Sequence, residues 1–232
     1  MSYELAVDSS TFHGSLAIAK DGQILFQEQC LHQRSHSEFF NASLERGLKQ
    51  LGIHPRQLDT IYYDKGPGSF TGLRVTGNLV KTLSFLHQTP VVAVDSLHVL
   101  AAPFLLQKQD VLVVMNAFKN LFFSCAYQAD KQVLQPSSVS AEQLHQLLNN
   151  ASGPLALVGD AVDLFLSTCS ESQKKLFLLS ENHVHTPLAQ TLIQWGIFFK
   201  KHYGTLDWNF IQPLYLRDSE AEENLRKKSN LI

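Results

Sequence analysis

The sequence has few cysteines and opens without a long apolar run. Cys30, Cys125 and Cys169 are the three cysteines among 232 residues, and none belongs to a Cys-x-x-Cys pair. Neither a disulfide framework nor a cysteine-rich zinc site is therefore expected. Residues 1–5 contain neither a basic region nor the apolar stretch that a signal peptide or a membrane span needs. We expect a cytoplasmic protein without membrane contact.

Charged residues are also few. Charged residues make up 17% of the chain, the formal net charge is −2 and the sequence pI is about 6.5. A protein that holds nucleic acid by its own electrostatic field needs a basic stripe. Contact with nucleic acid is therefore expected only through a partner. Hydrophobic residues make up 44% of the chain, which is enough for a sizeable core.

The usual sequence marks of an autonomous enzyme are missing. No Gly-Lys-Ser or Gly-Lys-Thr occurs, so the chain has no Walker A loop. His98 has no second histidine four residues away, so a core or surface histidine is expected there rather than a zinc ligand. His32 and His36 are four residues apart, but the predicted helix begins near Ser35 and the two rings would not share a helical face. The sequence predicts neither a metal site nor a catalytic residue.

The first hundred residues alternate between strand and helix patterns. Strand patterns cover residues 4–8, 14–19, 23–27, 60–64 and 90–94. Helical patterns cover residues 35–51, 73–86 and 96–102. Asp21-Gly22 is a two-residue hairpin signal, Ser35 and Glu38 form a capping box, and Gly52 stands where a C-terminal cap belongs. The pattern predicts an antiparallel meander followed by alternating helices and strands.

The second half repeats this order. Strand patterns cover residues 111–116, 121–127, 130–134 and 155–160, and helical patterns cover residues 140–148 and 188–203. The repeat places Asn116 opposite Asp8. We interpret it as an internal duplication that gives two α/β subdomains with a cleft between them. The predicted divisions are residues 1–104, residues 105–210 and a C-terminal tail, 211–232, which either packs back or is ordered by a partner.

The densest motif is KGPGSFTGLR, between the strand that ends at Asp64 and the helix that follows. We call its residues 66–74 the glycine loop; they include Gly66, Pro67, Gly68, Ser69, Phe70, Thr71, Gly72 and Arg74. Glycine permits positive φ and close approach, and proline fixes one dihedral, so the motif predicts a rigid strand-to-helix turn. Ser69 or Thr71 is expected to cap the helix. Three interpretations stay open: a tight turn, an anion site or a partner surface.

Taken together, the motifs resemble the TsaB (YeaZ) family of tRNA threonylcarbamoyladenosine biosynthesis proteins, in the actin-like ATPase superfamily. Besides the glycine loop, the matching segments are AVDSS at 6–10, HSE at 36–38, PVVAVDSL at 90–97 and PLYLR at 213–217. Asn116 and Lys119 depart from the family pattern, in which Asp and Arg are frequent. Residues 161–186 match nothing in that pattern.

The resemblance implies a fold and a role. The fold would be a duplicated actin-like, ribonuclease-H-like α/β architecture with two mixed-sheet subdomains. The role would be a non-catalytic platform for the TsaD threonylcarbamoyl transferase, with a TsaE-type ATPase in the larger assembly and a homodimer when the chain is alone. tRNA would be reached only through the complex. The chain would have no cofactor of its own, with ATP or ADP at the junction with the partner.

The resemblance also suggests sites. The expected partner interface lies on the two first-half helices and comprises His36, Glu38, Phe40, Leu44, Leu73, Gly77, Val80, Lys81 and Ser84. Because small residues let another helix approach, Gly77→Leu is expected to weaken partner binding more than folding. Asp8, Ser9 and Ser10 are weak nucleotide candidates, since their turn lacks the glycine of a phosphate hairpin. The alternatives are an independent actin-like ATPase or kinase and a metallopeptidase-like glycoprotease relative.

Overall fold

The computed structural model describes residues 2–30, 36–128, 131–149, 153–179 and 185–217. The strands are β1 (Tyr3–Asp8), β2 (Gly14–Lys20), β3 (Gln23–Cys30), β4 (Leu58–Asp64), β5 (Val91–Val94), β6 (Val111–Asn116), β7 (Leu121–Gln128), β8 (Lys131–Ser140), β9 (Leu155–Val158) and β10 (Phe177–Leu178). The α-helices are α1 (His36–Leu51), α2 (Phe70–His87), α3 (Ser96–Leu105), α4 (Ala141–Leu148), α5 (Val162–Leu166), α6 (Glu171–Lys174), α7 (Ala189–Gln194) and α8 (Gly196–Tyr203). Short 3-10 turns cover Pro55–Gln57 and Trp208–Phe210.

The strands form two five-stranded sheets of the same topology. The first has the order β3-β2-β1-β4-β5 and the second the order β8-β7-β6-β9-β10. In each sheet an antiparallel meander meets a parallel pair at its first strand, β1 against β4 and β6 against β9. The predicted duplicated actin-like α/β fold is confirmed.

Local turn chemistry in the first half follows the sequence signals. Asp21 and Gly22 both have positive φ, 52° and 79°, and join β2 to β3 as a two-residue hairpin. Gly52, directly after α1, has φ 65°, so the predicted C-terminal cap is confirmed. Ser35, the predicted N-terminal cap of α1, lies outside the described residues, and so does His32.

Helix α3 lies between the two sheets. Val99 and Ala102 pack against the first sheet, while Leu100 and Phe104 pack against the second. A helix in this position has no solvent face, which explains why its sequence is apolar on all sides. Among the described ranges, no helix combines the length and the apolar content that crossing a membrane would take.

The last two helices cover the remaining face of the first sheet. Ala189, Leu192 and Phe199 join the core that the first sheet forms on that face. The single helix predicted for residues 188–203 is wrong, because the chain divides at Trp195 into α7 and α8. A Cβ at Gly196 would lie 2.6 Å from the ring of Tyr62, so the break brings backbone against the sheet. Residues 189–203, within the predicted second subdomain, thus pack with the first sheet.

Candidate functional site

The glycine loop packs backbone against backbone on the turn between β1 and β2. A Cβ at Gly68 would overlap the carbonyl group of Ser10, whose carbon would be 2.7 Å away. A Cβ at Gly72 would meet the carbonyl group of Ser9 in the same way. The amide of Ser69 donates to the carbonyl oxygen of Ser10 at 2.7 Å. These two glycines are therefore required by a contact within the chain.

The start of α2 confirms the predicted cap. Helix α2 begins at Phe70, three residues before the predicted Leu73. The hydroxyl of Ser69 accepts a hydrogen bond from the amide of Gly72 at 3.3 Å, which satisfies one of the free amides of the first turn. The rigid strand-to-helix turn predicted from the motif is present.

The C-terminal segment PLYLR, residues 213–217, lies on the other side of the glycine loop, and we call it the strap. The amide of Leu214 donates to the carbonyl oxygen of Lys65 at 2.7 Å. The ring of Tyr215 stacks on that of Phe70, with centroids 4.4 Å apart and planes 3° apart. Arg74 lies over the Phe70 ring at 5.8 Å. The two motifs, distant in sequence, therefore form one contact.

The strap continues to the second half of the molecule. One guanidinium nitrogen of Arg217 donates to the carbonyl oxygen of Ala117. The same nitrogen also donates to the carbonyl oxygen of Phe118, at 3.4 Å. Both carbonyls belong to the turn between β6 and β7. The strap thus links the glycine loop of the first half to the corresponding turn of the second.

A pocket of about 430 Å³ lies between these turns. It is lined by Ser10, Thr11, Phe12, Gly68, Ser69, Phe70, Thr71, Met115, Asn116, Ala117, Phe118, Lys119, Phe123, Asp160 and Arg217. Phe12 and Phe118, one from each half, meet edge to face at 6.2 Å. Of the nucleotide candidates, Ser10 lines the pocket, whereas Asp8 and Ser9 are fully buried.

The pocket wall in the second half contains both departures from the family pattern. The side-chain oxygen of Asn116 accepts from the backbone amide of Phe118 at 2.8 Å. The backbone amide of Asn116 donates to the carboxylate of Asp160 at 2.9 Å. Lys119 is in the same turn, where three successive non-glycine residues, 118–120, have φ between 52° and 60°. Sequence reasoning missed Asp160 as a site residue, although the Gly-Asp pair that ends its strand was a visible signal.

Two carboxylates, Asp8 and Asp64, are fully buried beside this junction, and we call them the acid pair. One oxygen of Asp8 accepts from the amide and hydroxyl of Ser10, at 2.9 and 2.7 Å. One oxygen of Asp64 accepts from the amide of Gly66 at 2.8 Å and the hydroxyl of Ser96 at 2.6 Å. Burial, and next the nearby Asp64, raise the pKa of Asp8 well above its usual value. Burial raises the pKa of Asp64 to about 6.

His98, predicted to be a core or a surface histidine, is a core one. Its Nδ1 lies 2.7 Å from the hydroxyl of Tyr203, which donates to a carboxylate oxygen of Asp95 at 2.6 Å. Burial lowers the pKa of His98 to about 4, so its ring is neutral at physiological pH. The residues that the structure describes contain no group of three or more His, Cys, Asp or Glu side chains arranged to hold a metal ion.

Most of the predicted interface residues are in the protein's own core. The buried ones are Phe40, Leu44, Leu73, Gly77, Val80 and Ser84. They lie on the inner faces of the two helices, where Phe40 and Leu44 of α1 and Val80 of α2 pack in the core that the first sheet forms. The prediction that these six residues form a partner surface is therefore wrong, because they are buried within the protein. Glu38 is exposed and Lys81 is half-buried, and the side chain of His36 lies outside the described residues.

Gly77 illustrates this correction. A Cβ at Gly77 would lie 3.0 Å from the hydroxyl oxygen of Tyr63 and 3.9 Å from Pro213. Its small size therefore admits the chain's own side chains rather than a partner helix. A leucine there would collide with the core, so Gly77→Leu should cost stability; that it weakens partner binding more than folding stays a prediction.

The C-terminal end of α2 carries an apolar surface that the sequence did not reveal. We call its exposed residues Phe85, Leu86, Trp208 and Phe210 the α2 patch. Phe85 and Trp208 meet edge to face at 5.0 Å, where the 3-10 turn at 208–210 packs on α2. Phe85 and Trp208 adjoin on the surface, which makes the α2 patch a candidate interaction site.

Comparison with known proteins agrees with the fold and the motifs. The model of the TsaD family, described as tRNA N6-adenosine threonylcarbamoyltransferase, matches residues 30–225. The tRNA threonylcarbamoyladenosine biosynthesis protein TsaB of Bacillus subtilis (strain 168) is 24% identical over 222 residues, which are 94% of this chain and 95% of the relative. TsaB of Escherichia coli (strain K12) is 23% identical over 231 residues, 97% of this chain and 98% of the relative.

A solved structure gives the same result. The Pseudomonas aeruginosa protein described as uncharacterized, with similarity to peptidase YeaZ, superposes with a TM-score of 0.77 at 22% identity. The match covers 94% of this chain and 100% of that one, which shows a common fold. The chain belongs to the TsaD family and is a relative of the TsaB (YeaZ) proteins within the actin-like fold.

Proposed function

We propose that the protein acts in the biosynthesis of threonylcarbamoyladenosine in tRNA, as a non-catalytic subunit that binds a TsaD-type transferase. The names of the B. subtilis and E. coli relatives support the pathway. The family model supports a partner of related fold, since such chains offer each other similar surfaces. In this proposal the partner supplies the chemistry.

The single observation that carries the partner role is the α2 patch. Isolated exposed apolar residues are ordinary, but this patch joins three aromatic rings and a leucine at the end of one long helix. Aromatic side chains dominate the binding energy of protein interfaces. A stable interface buries about 800 Å² on each partner, so the outer faces of α1 and α2, with Glu38 and Lys81, would supply the polar rim.

The non-catalytic part of the proposal is supported by the position of three groups that could otherwise transfer a proton, Asp8, Asp64 and His98. The acid pair is fully buried, and His98 is neutral within an aromatic cluster. None of these three side chains lines the pocket. A general acid or base must reach the proton it transfers, and these groups do not reach the pocket.

The remaining partners belong to the same proposal. A second copy of the chain would cover the α2 patch when the transferase is absent, which gives a homodimer. A TsaE-type ATPase would join the larger assembly, and ATP or ADP would bind at the junction of the subunits. tRNA would be held by the assembly, because a chain with net charge −2 has little field of its own for phosphates.

The first test is binding to the TsaD-type transferase of the same organism, by gel filtration and titration. We expect a complex, and we expect Leu86→Glu to weaken it at least about tenfold, since a charge would be buried in an apolar contact. Ile197→Glu is the matched control, because Ile197 is 89% exposed on α8, which packs on the other face of the first sheet from α2. Absence of a complex, with or without nucleotide, would remove the proposal; equal effects of both variants would remove the patch from it.

The second test is reconstitution with tRNA, ATP, threonine, bicarbonate and the other subunits, with this chain left out as the comparison. We expect modified adenosine only when the chain is present. Asp160→Asn and Lys119→Ala change the ionisable pocket residues of the second half, and both should leave the product yield near that of the unchanged protein. Loss of product with an intact complex would assign the pocket a catalytic role.

A further inference from the structure

The acid pair is placed so that its two carboxyl groups face each other. Asp8 ends β1 and Asp64 ends β4, and these neighbouring strands run parallel. Both side chains are fully buried, and the pairing of Val7 with Tyr63 places Asp8 beside Asp64 at the ends of their strands. Bulk solvent therefore does not reach either group.

The hydrogen bonds of the pair leave one oxygen of each carboxyl group without a donor. The Oδ1 atoms of Asp8 and Asp64 are saturated by Ser10 on one side and by Gly66 and Ser96 on the other. The two Oδ2 atoms have no donor among the described residues. Two facing acceptors repel, and a proton on one of them turns that oxygen into a donor to the other.

No positive group relieves this repulsion in the described part of the chain. Asp95, at the junction of β5 and α3, acts on Asp64, and the phenol of Tyr63 on β4 adjoins both carboxyl groups. Both neighbours are acids. The cation next in sequence, Lys65, lies instead over the ring of Tyr203 at 5.1 Å.

We propose that Asp8 and Asp64 share one proton, carried by Asp8, and that this proton fastens the β1–β2 turn to the glycine loop. The Oδ2–H of Asp8 donates to Oδ2 of Asp64. Asp8 holds Ser10, and Asp64 holds the amide of Gly66, so the shared proton ties together two segments that line or adjoin the pocket. The device does not depend on the proposed function.

Release of the proton would undo this tie. Two buried carboxylates in contact must separate or admit water, and Ser10 and Gly66 would move with them. The hydrogen bond from the amide of Ser69 to the carbonyl oxygen of Ser10 spans the same two segments. Exchange of the Ser69 amide hydrogen therefore reports on the opening.

The direction of the pH effect follows from the pKa shifts. Burial raises the pKa of both groups, that of Asp64 to about 6. The folded chain then keeps a proton at pH values where the unfolded chain, with aspartate pKa values of about 3.9, has released both. Stability from the shared proton is complete at lower pH and is lost as the pH rises through the folded pKa values.

The decisive variant is Asp8→Asn, because asparagine imitates the protonated aspartate. Its Oδ1 still accepts from Ser10, and its amide nitrogen donates to Asp64 without a proton to lose. We expect the melting temperature of the unchanged protein to fall as the pH rises above about 6, the pKa of Asp64, and that of Asp8→Asn to stay nearly level. Asp207→Asn, at an exposed aspartate, is the matched control and should keep the original slope.

Two further measurements protect the test from ambiguity. The infrared carbonyl band of a protonated carboxyl group should be present near neutral pH in the unchanged protein and absent from Asp8→Asn. At alkaline pH, the Ser69 amide should exchange severalfold faster in the unchanged protein than in Asp8→Asn. A level melting temperature in the unchanged protein, an unaltered slope in Asp8→Asn, or failure of that variant to fold would each overturn the proposal.

Discussion

The two halves of the molecule share one topology but differ at the end of the opening strand, at Asp8 in the first half and Asn116 in the second. We call this place the corner of each half. In the first half the residue that ends the opening strand, Asp8, is fully buried and faces Asp64. In the second half Asn116 is half-buried, and its backbone amide donates to the exposed Asp160 at the pocket. Topology therefore fixes where polar groups collect at the strand ends. The segment that packs over the corner decides whether these polar groups are buried or open to the pocket.

The helices explain this difference. The first half has α1 and α2, of 16 and 18 residues, and the glycine loop that starts α2 seals its corner. The corresponding helices of the second half, α4 and α5, have eight and five residues. The second-half turn instead bends sharply through three left-handed residues, 118–120, and presents Phe118 to the pocket. The first half thus supplies a pocket wall backed by a long helix, and the second half supplies a wall built from a left-handed turn.

The largest expected effect comes from breaking the seal of the first corner with Gly68→Ala. Its Cβ would overlap the carbonyl group of Ser10, where only backbone could move to make room. We expect a loss of about 3 kcal/mol or more in the free energy of unfolding, in the range of overpacked or strained sites. Chemical denaturation measures it.

A matched glycine in the second half makes this loss interpretable. Gly153→Ala adds the same methyl group where nothing lies within 4 Å, so its unfolding free energy should change by less than about 0.5 kcal/mol. Equal stability losses in the two variants would mean that the contact of the glycine loop with the β1–β2 turn does not hold the corner closed.

An intermediate effect is expected from cutting the link between the halves with Arg217→Ala. The variant loses the hydrogen bonds from the guanidinium to the carbonyl oxygens of Ala117 and Phe118. We expect a loss of about 1 to 2 kcal/mol, toward the lower end for a charged donor because the strap is partly exposed. Hydrogen exchange should rise in the 117–121 turn and not within β1.

Tyr215→Phe is the control for that experiment. It keeps the ring that stacks on Phe70 and loses only a long contact, 3.4 Å, between the hydroxyl and Arg74. Its stability should stay within about 0.5 kcal/mol of the unchanged protein. If Arg217→Ala were equally harmless, the strap would be a surface feature rather than a link between the halves.

The sequence was sufficient for the parts of the fold that local chemistry decides. The Asp21-Gly22 hairpin and the caps at Gly52 and Ser69 each depend on a few adjacent residues; the first two were predicted correctly, and Ser69 was one of the two predicted candidates. The repeated order of strand and helix patterns was sufficient to predict the duplicated topology. The pattern of α1 and α2 gave their apolar faces as well.

The site could not be predicted as fully, because it depends on what packs on each element. Helical periodicity shows that Leu73 and Val80 share an apolar face, but not that Leu73 is buried within the chain and that Val80 packs in the core of the first sheet. Asp64 resembles any residue that closes a strand until Asp8 is found beside it. The meeting of Phe12 with Phe118 depends on how the two halves pack, which no local pattern encodes.

The smallest expected effect tests whether burial, rather than sequence, makes the first corner sensitive to pH. Asn116→Asp places a second carboxylate beside Asp160, which imitates the acid pair at a corner open to water. The new side chain still offers an oxygen to the amide of Phe118, so the turn keeps its hydrogen bond. We expect a loss below about 0.5 kcal/mol at neutral pH, because water and salt screen exposed charges. The loss should shrink at high salt and vanish as falling pH protonates the carboxylates. A loss as large and as salt-independent as that of a buried pair would mean that the two corners differ by residue type and not by what covers them.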